Sequence, residues 1–227
     1  MIERLLAAGV ALSVLGVGGA GHLHRGSGAP QGNVQPTLQP VTGVGVAATS
    51  SAVDDRVAVI ISNATTRSAR VDLVSATASR TDGGRVTHAR TREAYPQVLA
   101  PGELALAAVQ FRKGGVPPGA SVVVKVRSRP VTDARATRVL GVSAPSLSPP
   151  GTGAVAQTLG ATVSNDTPAW TAIAPQVAVM CFGEARQPTT ITTKRLRVRK
   201  IAPGRQATVS VPLSTLCPTY LVAPRTT

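Results

Sequence analysis

The chain of 227 residues writes the same punctuation twice. "ISNATT" around Asn63 and "VSNDTP" around Asn165 each close a hydrophobic run with Ser-Asn-x-Thr. Asn63 precedes the triplet Ala100-Pro101-Gly102 by 37 positions, and Asn165 precedes Ala202-Pro203-Gly204 by the same 37. An alternating run follows each triplet, "ELALAAVQF" in one case and "RQATVSVPL" in the other. A single offset of 102 superposes both landmarks without a gap, and self-similarity at a fixed period marks a duplicated structural unit. Asn63 and Asn165 read as turn residues after an early strand, where Asn and Thr side chains bond the local backbone. Gly102 and Gly204 read as turns entering a late strand. Both asparagines also match the glycosylation pattern, but recurrence at one place in a duplicated unit points to turn chemistry instead.

Between these landmarks, short Val-rich runs recur at about ten-residue intervals with turn residues between them. Examples are "RVAVIIS" at Arg56, "RVDLVSA" at Arg70, "SVVVKVRS" at Ser121 and "QVAVMCF" at Gln176. Valine suits a pleated, half-buried surface, and no run after residue 25 has a helical period. The expectation is an all-β chain of two tandem antiparallel β-sandwiches. The first spans 42–144 and the second 153–227, separated by the Pro/Gly/Ser cluster "APSLSPPGTG". "VVVKVRSRPVTDARATRVLGVS" reads as a hairpin closing the first sandwich, turning near Thr132–Ala134.

Residues 1–25 are a separate matter. The charge-free run "LLAAGVALSVLGVGGA" from Leu5 to Ala20 has the length of a signal-peptide core. A cleaved signal and a retained membrane tether both fit it, and either sets the remainder outside the cytoplasmic membrane. Residues 26–41, polar and rich in Gly and Pro, read as a spacer. Cysteine usage agrees with export: Cys181 and Cys217 are an even pair for an oxidising compartment. The expectation is one disulfide within the second unit, with two buried thiols as the alternative. By the offset of 102 their counterparts are Ser79 and Gly115, so the pair is present together in one unit and absent together from the other.

"PQVAVMCFGEARQP" followed by "KIAPGRQATVSVPLSTLCPTYLV" resembles the exported bacterial immunoglobulin-like domains of the FxLYD type. Those domains pair an Asn turn with a strand ending in aromatic-Asp-Gly, then a Pro-Gly turn before the closing strands. Here Gly183 follows Phe182 where the family carries Asp, and the first unit lacks the aromatic. The resemblance implies an immunoglobulin-like fold and an extracytoplasmic setting, with no catalytic residues to carry over.

The residue inventory agrees with a chain that is not an enzyme. Of three histidines, His22 and His24 precede the folded part, and His88 sits in "RVTHART" without a Gly-x-Ser-x-Gly elbow elsewhere. Asp54-Asp55 reads as a solvated turn. No alternating carboxylates suggest calcium, no Cys/His set suggests zinc, and no cofactor is expected. The positive signal is charge, +14 formally with a pI near 11.5. In "TTKRLRVRKI", strand alternation would place Arg195, Arg197 and Arg199 on one face, with Leu196, Val198 and Ile201 on or near the other. Such a ridge would bind anions. Nucleic acid is not the expected partner, because an aromatic content of 2% leaves almost no platform for stacking bases. An envelope protein or an anionic envelope surface fits the compartment; a membrane-tethered structural spacer or accessory domain pair is the alternative, and a hydrolase is the third reading.

Overall fold

A computed structural model describes residues 29–80, 84, 86–117, 119–132, 140–151 and 155–226. The expected export segment and the two early histidines lie outside the described residues. Strands make up the regular structure, and no helix occurs among the described residues. Accordingly, none is long and apolar enough to cross a membrane.

The described residues open with β1 (Gln31–Gly32), which belongs with the last strand described below. The first unit follows as β2 (Val44–Thr49), β3 (Arg56–Asn63), β4 (Ala69–Ser79), β5 (Val86–Thr91), β6 (Val98–Leu99), β7 (Leu104–Gln110) and β8 (Ser121–Pro130). The second comprises β9 (Gly141–Leu147), β10 (Gln157–Asn165), β11 (Ala172–Ile173), β12 (Gln176–Phe182), β13 (Pro188–Arg195), β14 (Lys200–Ile201), β15 (Arg205–Leu213) and β16 (Thr219–Arg225). In the first unit, β2-β3-β7 forms one sheet and β5-β4-β8 the other, with β6 beside the start of β4. In the second, β9-β10-β15 forms one sheet and β13-β12-β16 the other, with β14 beside β11. All pairings are antiparallel, and the two orders match strand for strand. The molecule is a tandem of two immunoglobulin-like β-sandwiches.

The landmark residues build the same corner twice. Asn63 is fully buried; its Nδ2 donates to the carbonyls of Arg67, Leu99 and Ala100 at 2.9, 3.0 and 3.1 Å. Its Oδ1 accepts from the Thr65 N–H at 3.1 Å and hydroxyl at 2.7 Å. Asn165, also fully buried, donates to Trp170 and Ile201 at 2.6 and 2.9 Å and accepts from the amide and hydroxyl of Thr167 at 3.3 and 2.6 Å. The backbone carbonyl of each asparagine accepts from the matching glycine N–H, Gly102 at 2.8 Å and Gly204 at 2.7 Å. Those glycines have φ of 77° and 67°, a region that L side chains avoid. Every polar group of the corner that faces inward is therefore bonded, which burial demands.

Two boundaries differ from expectation. Segment 141–147 does not pair with β8; as β9 it pairs with β10, Leu147 against Leu159 and Val142 against Val163. Leu140 and Val142 are buried in the second core, which fixes the segment there. The strand after β8 thus belongs to the second sandwich and does not close a hairpin with β8, and most of the expected turn at Thr132–Ala134 lies outside the described residues. Residues 148–151 follow β9 within the second sandwich rather than serving as a linker, tied by the Ser148 N–H to the Thr158 carbonyl at 2.8 Å and by the Gly151 N–H to the Ala156 carbonyl at 2.7 Å. The supposed spacer is also structured. Gln31 and Gly32 pair with Val222 and Leu221 of β16. Asn33 bonds the Pro218 carbonyl and the Tyr220 N–H, both at 2.8 Å. Gly32 is required there, since a Cβ would stand 1.9 Å from the Tyr220 carbonyl oxygen. Glycine in this segment serves close approach to a neighbouring backbone.

Burial falls into three clusters. Val57, Val59 and Ile61 of β3 face β4 and form the first sandwich core. Val177, Val179 and Cys181 of β12 face β10 and β15 and form the second. The third lies between units: Ala58 and Ile60 of β3 and Leu106 of β7 pack on Met180, Phe182 and Leu221. Sheet β2-β3-β7 thus lies back to back with sheet β13-β12-β16, and the molecule is a stack of four sheets. Each fully buried Ile, Leu or Met in this seam contributes about 1.5–3 kcal/mol of transfer free energy. Val34 and Val41 of the N-terminal segment pack against the same seam, so that segment straps the two units together.

Candidate functional surface

A disulfide joins Cys181 to Cys217 across 5.2 Å between Cα atoms. Cys181 precedes the end of β12 and points into the second core opposite Tyr220. The matching core-facing pair in the first unit is Ala78–Val122. The counterpart of Cys181 is therefore Ala78 and not Ser79. The corner after Asn165 reaches Trp170 where that after Asn63 reaches Arg67, one residue longer, and this shifts the offset. The bridge suits an oxidising, extracytoplasmic compartment.

The expected arginine ridge is not a continuous strand face. β13 ends at Arg195, and residues 196–199 form a bend before β14. Leu196 is buried, its N–H donating to the Pro175 carbonyl at 2.9 Å, whereas Val198 is exposed alongside the arginines. Strand alternation fails because the chain turns to deliver Ile201 to the Asn165 corner. Arg195 and Arg197 line a shallow groove with Lys194, Thr208 and Ser210, and Arg199 does not join them.

A basic surface of better geometry lies on the outer face of β5-β4-β8. Cross-strand partners set it out in rows. Ser75 has Arg90 on one side and Lys125 on the other, and Thr77 has His88 and Val123. Leu73 stands opposite Arg127, and Arg70 opposite Arg129. Directly opposed side chains on one face lie about 4.5–5.5 Å apart at Cβ, so the serine and threonine make a low floor between two basic rims. Asp72 lies on this face, its carboxylate 3.4 Å from Arg129 Nε and 4.0 Å from Arg70 Nε. Arg90, Lys125 and Arg127 are exposed and meet no carboxylate among the described residues. The signal was present in "SVVVKVRSRP": Val122, Val124 and Val126 occupy the inward positions of an unbroken ten-residue strand. That inward valine series is what "KRLRVRKI" lacks.

Other polar groups have structural partners. His88 Nδ1 lies 3.0 Å from the Thr77 hydroxyl across the strand pair. Asp55, read as solvated, accepts from the Gly114 and Val116 N–H groups at 2.6 and 3.0 Å and shapes the loop after β7. At the seam, the Tyr95 hydroxyl donates to Gln176 Oε1 at 2.8 Å, with Glu93 Oε2 at 3.2 Å. Arg225 Nη1 is 3.2 Å from Glu93 Oε1, and its guanidinium lies 5.8 Å from the Tyr95 ring centre. Burial, with the Glu93 carboxylate adding to it, pushes the Tyr95 hydroxyl up to about 12. Among the described residues, no three His, Cys, Asp or Glu side chains gather where a metal ion could be held.

No family model matches the chain, and no curated protein matches it. Among solved structures it is similar to red sea bream transglutaminase at 14% identity and a TM-score of 0.25, covering 78% of this chain and 28% of that one. The likeness is too slight to bear on either fold or activity.

Proposed function

We propose that this is a non-catalytic exported protein of the bacterial cell envelope that binds anionic envelope material through the outer face of β5-β4-β8. The observation that carries the reading is the flat basic face of Arg90, Lys125 and Arg127 around Ser75 and Thr77. Guanidinium and ammonium groups over a low polar floor suit phosphate or carboxylate groups repeated along a surface. The disulfide supports the compartment, and the export segment and the resemblance to FxLYD-type domains belong to the same proposal. The test is co-sedimentation of the protein with vesicles. Phosphatidylglycerol vesicles should bind it at low ionic strength and release it at high salt, and phosphatidylcholine vesicles should not bind it. A triple variant Arg90→Gln, Lys125→Gln, Arg127→Gln should lose at least tenfold in affinity while keeping its melting temperature. Equal binding by the variant would overturn the assignment of this face.

A further inference from the structure

The two sandwiches correspond strand for strand, but one edge differs. In the second, β16 pairs with β12 on one side, and β1 completes its other side at Val222 and Leu221. In the first, β8 holds the place of β16, and among the described residues only β4 pairs with it. Strand β2 pairs with β3 and packs beside β8 without forming a ladder with it, so the backbone groups of the β8 edge are unpaired by β2. The core-facing pairs Ala78–Val122 and Cys181–Tyr220 are equivalent, which sets Val123 at the place of Leu221 and Lys125 at that of Ala223. Val123 is 52% exposed on the outer face, whereas Leu221 faces the seam between the units and is 5% exposed.

We infer that the free edge of β8 takes an extended acidic peptide of a partner protein by strand addition. The second sandwich shows that an edge in this position accepts a short extended segment through its backbone. Main-chain pairing would supply affinity, and alternate side chains would supply selection. The outward side chains of β8 here are Lys125 and Arg127, so the added strand needs acidic groups on that face. Val122, Val124 and Val126 are only half-buried at the rim of the core, so its inward positions need apolar groups. A second copy is a poor occupant, because β8 paired antiparallel with itself would set Lys and Arg against Lys and Arg, and such cations guard an edge from self-pairing. This inference rests on the proposal that the β8 face is the binding surface, and it names the ligand class for it.

The probe is acetyl-(Val-Glu)4-amide, compared with the same peptide N-methylated at alternate residues, using the full chain and phosphatidylglycerol vesicles in parallel. Strand addition predicts saturable binding of the first peptide and at least tenfold weaker binding of the methylated one. It also predicts slowed amide exchange confined to residues 121–130. Equal binding of both peptides, abolished in the triple Gln variant, would overturn strand addition and leave the basic face as the binding surface. Vesicle binding without peptide binding would do the same in favour of a lipid headgroup. Failure of peptide and vesicles together would overturn both readings.

Discussion

Asn63 and Asn165 show how one buried polar side chain can organise a loop from three directions. Each donates to carbonyls from two separate segments and accepts from the threonine two positions on. Asn63→Ala should therefore leave the buried Leu99 carbonyl without its side-chain donor and the Thr65 N–H without its acceptor, while Ala100 keeps the Glu103 N–H and the Thr65 hydroxyl keeps the Arg67 carbonyl. A cost of about 2–3 kcal/mol follows, since several groups lose partners at once. Asn165→Ala should cost about the same. Urea unfolding checks both, and a change no larger than that of an exposed Asn→Ala control would show that the corner is not cooperative. These residues were legible because both corners join the same two short segments at the same spacing, and identical chemistry at a fixed offset leaves identical text. Arg195, Arg197 and Arg199 were misplaced for the opposite reason. Alternation holds only while the strand continues, and the pull of Ile201 toward a distant asparagine ends it at Arg195.

At the level of strands, the all-β class and the duplication were readable from runs and turns, but the partner of each run was not. "VAVII" in β3 and "VAVMCF" in β12 are apolar on both faces, whereas β4 and β10 alternate. A strand apolar on both faces must be covered twice. Those two runs therefore mark the sheets that meet at the seam. The segment 141–147 was misassigned because a Pro/Gly cluster looks alike in a linker and in a hairpin loop. The disulfide ties the seam-facing sheet of the second sandwich to the loop before β16. It closes a loop of sequence separation 36, and chain-entropy reasoning gives on the order of 3–4 kcal/mol for such a loop. Reduction should lower the urea midpoint reported by Trp170 fluorescence, since Trp170 packs against the second core. An unchanged midpoint after verified reduction would refute a stabilising role.

Across the whole molecule, the unfolding unit is set by the seam rather than by either sandwich. Ile60, Leu106, Met180 and Leu221 are buried in the cluster that the two units share. The N-terminal strap adds contacts to both. Two outer faces remain polar: β10 and β15 present Thr158, Thr162, Thr208 and Ser210, and the far sheet presents Ser75 and Thr77. The stack therefore ends at four layers, as repeat arrays end where a polar face caps them. Trp170 fluorescence and far-UV circular dichroism should then report coincident transitions. Tyr95 offers a pH probe of the same seam. Its hydroxyl is held at about 12 against an ordinary 10.0, first by burial and then by Glu93. A raised value means that the neutral phenol is the form favoured in the folded state. Its contribution is thus full below pH 10 and is lost as pH rises toward 12. The loss is on the order of 2–3 kcal/mol for a displacement of that size. Tyr220, also raised by burial, adds to the slope in the same direction. Tyr95→Phe should be less stable than the parent at pH 8, because Gln176 loses its buried donor, and should lose less stability than the parent between pH 10 and 12. Parallel pH profiles for the two proteins would show that the Tyr95 hydroxyl does not hold the seam closed.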